Sequence, residues 1–279
     1  MNKLHNTSNK YYNYNWMDAE SKKRTLGTSE VKMLWHCIAD PRFSYYVDVP
    51  SQYKEEVERK GEILVIIHGT GRRVQDELNL FRKNMGDQVA LLAPLLPAGL
   101  IDEDDFNHYK LISYKGIRYD YILIQMINEM VLRYPGLDGR RVLMYGYSGG
   151  GQYCNRFFYL HPEHLKAVAL SAPGRSTYLD ETLEYTWGIK DWEQIFEKKV
   201  DREALASIPV QLSVGDLDLD EIGDAPYGTT RVARTQALFE NFKQQGLDVQ
   251  FDFIPGINHY GPTDLRLSVV YPFFKKRLK

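Results

Sequence analysis

The stretch that decides the fold is VLMYGYSGG, residues 142–150. Its first part, Val142–Tyr145, has the composition of a buried strand, and the segment Gln152–Leu160 that follows it is helix-like. Two glycines stand two residues before and two residues after Ser148, where small residues let a strand and a helix approach closely. This G-x-S-x-G spacing is typical of a strand–turn–helix elbow, in which a strained turn presents a serine hydroxyl as a nucleophile.

The rest of the chain extends this alternation of strands and helices in both directions. Apolar runs predict seven further strands: Met33–Ile38, Ser44–Val49, Ile63–Ile67, Val89–Ala93, Ala167–Leu170, Val210–Val214 and Val249–Ile254. Helical spacing of apolar residues predicts three further helices: Ile117–Tyr134, Thr229–Gln245 and Leu265–Leu278, the last kinked or begun by Pro272. The pattern predicts an α/β fold with a mainly parallel sheet flanked by helices. The first two strands, joined at Asp40-Pro41-Arg42, are expected to form an antiparallel hairpin.

The chain is expected to form one α/β domain over residues 31–279, preceded by a polar arm rich in Asn, Tyr and Lys at residues 1–30. The segment 174–207 interrupts the alternation with aromatic residues among many charges. It is interpreted as a small helical cap over a site, with a connecting helix packed on the sheet as the alternative.

Composition excludes several classes of protein. The chain has 279 residues, of which 43% are hydrophobic, and its formal net charge is −2. These values exclude a wholly disordered chain and argue against a nucleic-acid binder held by bulk charge. The two cysteines are too few for a disulfide scaffold or a zinc cluster. There is no apolar run typical of a secretory signal and none long enough for a membrane span, so a cytoplasmic location is expected, with secretion after removal of a leader as the alternative.

A serine nucleophile needs a base and a group that orients the base. His259 is the predicted base, because it follows the last predicted strand, whereas the pair His161 and His164 has no apparent third metal ligand. The acid is expected after the strand Val210–Val214, where three aspartates alternate. Asp218 is preferred because it stands three residues after the glycine that ends this strand, and Asp216 and Asp220 remain open as alternatives.

Acyl transfer also needs hydrogen-bond donors for the developing oxyanion. The main-chain N–H of Gly149 is one predicted donor, and that of Thr70, in the glycine-rich loop after Ile63–Ile67, is the other. The neighbouring His68 is expected to support this loop through hydrogen bonds. Arg72 is either a solvated charge at the start of a helix or a receptor for a substrate carboxylate.

Several aromatic residues are candidates for the wall of a substrate pocket. Tyr147, Trp187 and Trp192 are predicted to contact an apolar or aromatic substrate, as is Tyr178. The alternative is that these side chains belong to the core.

These motifs, taken in order, resemble the α/β-hydrolase superfamily. The resemblance rests on four segments: residues 68–71 (HGTG), 146–150 (GYSGG), 215–218 (GDLD) and 258–259 (NH). Residues 146–174 are in addition similar to esterases that resemble polyhydroxybutyrate depolymerases. The crowded aspartates after Gly215 depart from the usual pattern and leave the identity of the acid open.

The resemblance implies a Ser-His-Asp hydrolase that cleaves a small-molecule ester or lactone through an acyl-enzyme, with no cofactor and no metal. An amidase or peptidase, an acyltransferase, or a non-catalytic member of the fold that binds a small molecule are the alternative functions.

Overall fold

The computed structural model describes Asp18, Glu20 and residues 34–278. Apart from Asp18 and Glu20, the polar arm predicted at residues 1–30 lies outside the described residues, as does Met33 at the start of the first predicted strand.

An eight-stranded sheet organises residues 34–278, in the spatial order β1-β2-β4-β3-β7-β8-β9-β10. Its strands are β1 Leu34–His36, β2 Ser44–Asp48, β3 Gly61–Ile67, β4 Val89–Leu95, β7 Leu137–Tyr147, β8 Leu165–Ser171, β9 Val210–Gly215 and β10 Val249–Ile254. A separate two-stranded hairpin consists of β5 Ser113–Tyr114 and β6 Ile117–Arg118. In the eight-stranded sheet, β1 and β2 pair antiparallel, as the predicted hairpin requires, β2 pairs antiparallel with β4, and the other pairs of this sheet are parallel. The prediction of a mainly parallel sheet is therefore confirmed.

Helices connect the parallel strands. Those of the described part are α1 Val74–Met85, α2 Tyr119–Arg133, α3 Gly149–Leu160, α4 Trp192–Phe196, α5 Arg202–Ala206, α6 Arg231–Gln244, α7 Thr263–Leu267 and α8 Val270–Lys275. None of them is long and apolar enough to cross a membrane.

Both faces of the sheet are covered, which explains why its central strands are continuous apolar runs. In β3, Ile63, Val65 and Ile67 belong to one buried cluster, and the alternating Leu64 and Ile66 belong to the cluster on the other face. Side chains of a strand alternate between its faces, so a strand that is buried on both sides is apolar at most of its positions.

The structure corrects the predicted helices at two places. The helix expected from Ile117 begins at Tyr119, because Ile117 and Arg118 pair with Ser113 and Tyr114 instead. The C-terminal helix predicted over Leu265–Leu278 is two short helices, α7 and α8, separated at residues 268–269. Pro272 stands in the first turn of α8, where a residue without an N–H is tolerated.

The segment 174–207 contains the short helices α4 and α5. Trp192, at the start of α4, is 1% exposed and packs against Tyr159 and Phe196. The buried face of the segment is therefore part of the domain core. Its role as a cap stays a prediction.

Candidate active site

The elbow between β7 and α3 holds Ser148 in an unusual backbone conformation. Its φ is 52° and its ψ is −111°, a region that residues with a side chain seldom adopt. Neighbouring positions need glycine, since a Cβ on Gly146 would lie 2.2 Å from the carbonyl oxygen of Gly150. A Cβ on Gly150 would lie 2.1 Å from the carbonyl oxygen of Ile67. Main-chain atoms, which cannot move aside cheaply, thus fix the residue types on both sides of Ser148.

Replacing Gly146 by alanine is expected to lower the free energy of unfolding by about 3 kcal/mol, the cost of an overpacked interior. Gly71→Ala is the matched control, because no atom lies within 4 Å of its added Cβ, and it should change stability by less than about 0.5 kcal/mol. Urea denaturation followed by circular dichroism measures both. Equal stability of the two variants would contradict the close approach of β7 and α3.

Ser148, His259 and Asp218 form a continuous chain of hydrogen-bonding distances. Nε2 of His259 lies 3.1 Å from Oγ of Ser148, and its Nδ1 lies 2.8 Å from Oδ2 of Asp218. His259 is 8% exposed and Asp218 is 1% exposed, whereas Ser148 is half-buried. Ser148 follows β7, Asp218 follows β9 and His259 follows β10, so the carboxyl ends of parallel strands bring them together.

Of the three alternating aspartates, Asp218 is the one beside the imidazole. Asp216 is exposed, and its Oδ1 accepts a hydrogen bond of 2.7 Å from the N–H of Gly256, which ties together the loops after β9 and β10. Asp220 is exposed. The second oxygen of Asp218 accepts a hydrogen bond of 3.1 Å from Nη1 of Arg231, at the start of α6. Both carboxylate oxygens of Asp218 are therefore engaged.

Tyr147 lies against the imidazole. Its ring stacks on His259 with centroids 5.0 Å apart and an interplanar angle of 23°. Its hydroxyl lies 3.0 Å from Nδ1 of His259 and also donates to the His259 carbonyl oxygen. The guanidinium of Arg266 is 3.5 Å from the centroid of the same ring. Burial raises the pKa of Tyr147 to about 12, so its phenol stays protonated and able to donate.

The loop after β3 is fixed by His68 and Arg72. Nε2 of His68 accepts a hydrogen bond of 3.0 Å from the N–H of Leu96, so its Nδ1 carries the proton and donates to the carbonyl oxygen of Gly69. Burial lowers the pKa of His68 to about 4, which keeps the ring neutral. The expectation that His68 supports the loop is confirmed.

Arg72 donates to three main-chain carbonyl oxygens. They belong to Leu96 at 2.8 Å, Thr70 at 2.8 Å and Phe106 at 3.4 Å. The loop thereby places Thr70 beside the elbow, where its Oγ1 is 3.2 Å from the point that a Cβ on Gly149 would occupy. The two predicted oxyanion donors, Thr70 and Gly149, are neighbours in space.

The structure is similar to those of several known hydrolases. The sequence matches no protein-family model and no curated protein. The chain is similar in structure to a poly(3-hydroxybutyrate) depolymerase from Bordetella parapertussis, with a TM-score of 0.67 and 18% identity over 94% of this chain and 95% of that one. It is also similar to poly(aspartic acid) hydrolase-1 from Sphingomonas sp. KT-1 (TM-score 0.65, 18% identity, 89% and 97% of the chains) and to a carboxylesterase from Mesorhizobium loti (0.57, 20%, 88% and 99%). The fold is that of the α/β-hydrolases.

The resemblance inferred from the sequence is thus confirmed at the level of the α/β-hydrolase fold.

The two tryptophans that are candidates for contact with substrate lie in different surroundings. Trp192 lies in the core, and its neighbours are other aromatic side chains. Trp187 is half-buried, and the guanidinium groups of Arg175 and Arg234 lie 5.0 Å and 5.1 Å from its ring centroid.

Sequence reasoning did not single out Arg231, Arg266 and Lys110. Arg231 contacts Asp218, Arg266 covers Tyr147, and the side chain of Lys110 passes directly over Gly149. Each lies in a different loop or helix from the residue it contacts, so no local motif marks it. Only the tertiary fold brings them to the site.

The structure supplies the third group that the pair His161 and His164 lacked in the sequence. One ligand-type atom each of His161, Glu163 and His164 lies within 4.8 Å of the others. The ammonium of Lys198, however, also lies 3.1 Å from the carboxylate of Glu163. Nε2 of His161 bonds to Asp120 at 2.8 Å. His161 and Glu163 therefore both have charged partners within the protein.

Proposed function

We propose that this protein is a serine esterase that hydrolyses a carboxylic ester or lactone through an acyl-enzyme on Ser148. The observation that carries the proposal is the hydrogen-bonded chain Ser148–His259–Asp218 at the strained elbow. Similarity to solved structures named as a carboxylesterase and as a poly(3-hydroxybutyrate) depolymerase supports it.

In the first step, His259 Nε2 takes the proton of the Ser148 hydroxyl as Oγ attacks the ester carbonyl carbon. Asp218 accepts a hydrogen bond from Nδ1–H, which holds the tautomer whose Nε2 is free to act as a base. It also stabilises the imidazolium that forms. Collapse of the tetrahedral intermediate breaks the bond to the alcohol, which leaves with the proton from Nε2.

In the second step, a water molecule takes the place of the alcohol. His259 removes a proton from this water as its oxygen attacks the acyl carbon, and then returns the proton to Oγ of Ser148. The acid product and the free serine result. In both steps, the N–H groups of Gly149 and Thr70 donate to the oxyanion, because the elbow and the fixed loop after β3 put these residues side by side.

A fluorophosphonate probe tests the nucleophile directly, because it phosphonylates an activated serine. We expect mass spectrometry to place one label on Ser148, and Ser148→Ala to remove it. Labelling that persists undiminished in Ser148→Ala would overturn the assignment. A parallel panel of 4-nitrophenyl esters and 4-nitroanilides separates an esterase from an amidase with the same residues.

A further inference from the structure

Lys110 is a buried lysine whose side chain lies against the serine elbow. It belongs to the short 3-10 helix His108–Leu111 and is 9% exposed. Its Cε lies 2.5 Å from the point that a Cβ on Gly149 would occupy, as does the hydroxyl of Tyr109. The end of the Lys110 side chain therefore lines the site next to the proposed oxyanion donor Gly149.

The main chain of this helix is held firmly. Nη1 of the buried Arg156, on α3, donates to the carbonyl oxygen of Lys110 at 2.7 Å. The Lys110 ammonium donates to the side-chain oxygen of Asn107, a neutral acceptor. Its position beside the elbow is thus fixed without an ion pair.

Among the described residues, the charged groups that lower the pKa of Lys110 are three arginines: Arg72 from the loop after β3, Arg156 from α3 and Arg231 from α6. The hydrogen bonds of Arg72 go to main-chain carbonyls, and those of Arg156 go to carbonyl and hydroxyl oxygens. Within residues 34–278, neither of these arginines nor Lys110 forms an ion pair with a carboxylate.

Arg231 is the member of this group with an acidic partner, Asp218, which it shares with His259. Its Nε is buried and has no hydrogen-bond partner among the described residues. Positive charge therefore lies beside Gly149, through Lys110, and beside Asp218, through Arg231, and among the described residues Asp218 is the carboxylate paired with it.

Burying these cations together costs free energy of folding, and a bound anion would lower that cost. Buried charged groups are normally paired with opposite charges, and a lysine without an anionic partner normally extends its ammonium into water. Burial and the three neighbouring guanidinium groups lower the pKa of Lys110 to about 8. An anionic group in the site would remove this cost.

We propose that the ester cleaved here carries a carboxylate group, whose charge is met by Lys110 on the Gly149 side and by Arg231 on the Asp218 side. This inference rests on the proposed function, and it names the substrate class of that site: monoesters of dicarboxylic acids and similar anionic esters.

Ethyl hydrogen adipate and its neutral amide, ethyl 6-amino-6-oxohexanoate, form the test pair, because they differ in one charged group. We expect kcat/KM for the anionic ester to exceed that for the amide by at least about tenfold, the effect of a charged hydrogen bond. Lys110→Met, which keeps length and removes charge, should lower this ratio by about tenfold. Lys60→Met is the control, since Lys60 is exposed at the opposite end of β3, and it should leave the ratio unchanged.

The pH dependence of the ratio separates a charge effect from a structural one. Lysine is charged below its pKa, so the preference for the anionic ester should fall in the native protein as the pH rises through about 8. Lys110→Arg, which stays charged, should keep the preference at pH 9, and Lys110→Met should show no such pH dependence. Circular dichroism confirms that each variant is folded.

Equal kcat/KM for the two esters in the native protein, or a ratio that Lys110→Met leaves unchanged, would overturn the inference while the proposed function stands. If neither ester is cleaved, the fluorophosphonate and 4-nitrophenyl ester assays decide the proposed function, and binding decides the inference. Adipate is then titrated calorimetrically into Ser148→Ala. Binding that Lys110→Met weakens about tenfold supports an anion site, and no binding, or binding that this variant leaves unchanged, overturns it.

Discussion

Ser148→Ala is expected to lower kcat for ester hydrolysis by about 10⁶-fold, the scale seen when the nucleophile of a serine hydrolase is removed. The loss is large because His259 then has no hydroxyl to activate, and water must attack the ester directly. Hydrolysis of 4-nitrophenyl butyrate, followed by release of 4-nitrophenolate, measures it.

Ser268→Ala is the matched control for this experiment. Ser268 is exposed after α7, and its hydroxyl donates to the carbonyl oxygen of Leu265, far from the elbow in the sequence. This variant should keep kcat within about twofold. Activity in Ser148→Ala above about a hundredth of the native value would contradict a covalent mechanism at this serine.

Asp218→Asn is expected to lower kcat/KM by about 10⁴-fold with little change in structure, because the amide no longer selects the required tautomer of His259 or stabilises its protonated form. The same assay measures the loss. Unchanged binding of a neutral product would show that the site is otherwise intact.

The neighbouring aspartates give two controls of the same chemistry. In Asp216→Asn the new side-chain oxygen still accepts from Gly256, and Asp220 is exposed. Both variants should stay within about threefold of the native kcat/KM. A loss of kcat/KM for Asp216→Asn equal to that for Asp218→Asn would contradict the assignment of Asp218 as the acid.

The local parts of the fold could be predicted because their causes are local. The strand and turn around Ser148 depend on glycines a few residues away, and the parallel sheet follows from apolar runs that both faces bury. Asp218 was preferred from its distance to Gly215, and in the structure it is the aspartate beside His259.

The remaining contacts could not be predicted because they are tertiary. Tyr147 was a candidate for contact with substrate, yet its ring stacks on His259, since the loop after β10 folds back over the elbow. Lys110 lies beside Gly149 because Arg156 holds its helix against α3. The sequence leaves Arg72 as either a solvated charge or a receptor for a substrate carboxylate. In the structure it instead donates to three main-chain carbonyl oxygens, which come from separate segments.

The order of the strands has a consequence for how the proposed activity depends on folding. Strand β10, which leads into the loop that carries His259, is the outermost strand at its end of the sheet and pairs with β9 alone. Opening of a sheet margin costs less free energy than opening of its centre. A partial detachment there would withdraw the imidazole while the serine elbow stayed folded between its neighbours, so we expect the proposed activity to be lost under milder conditions than the fold of the domain.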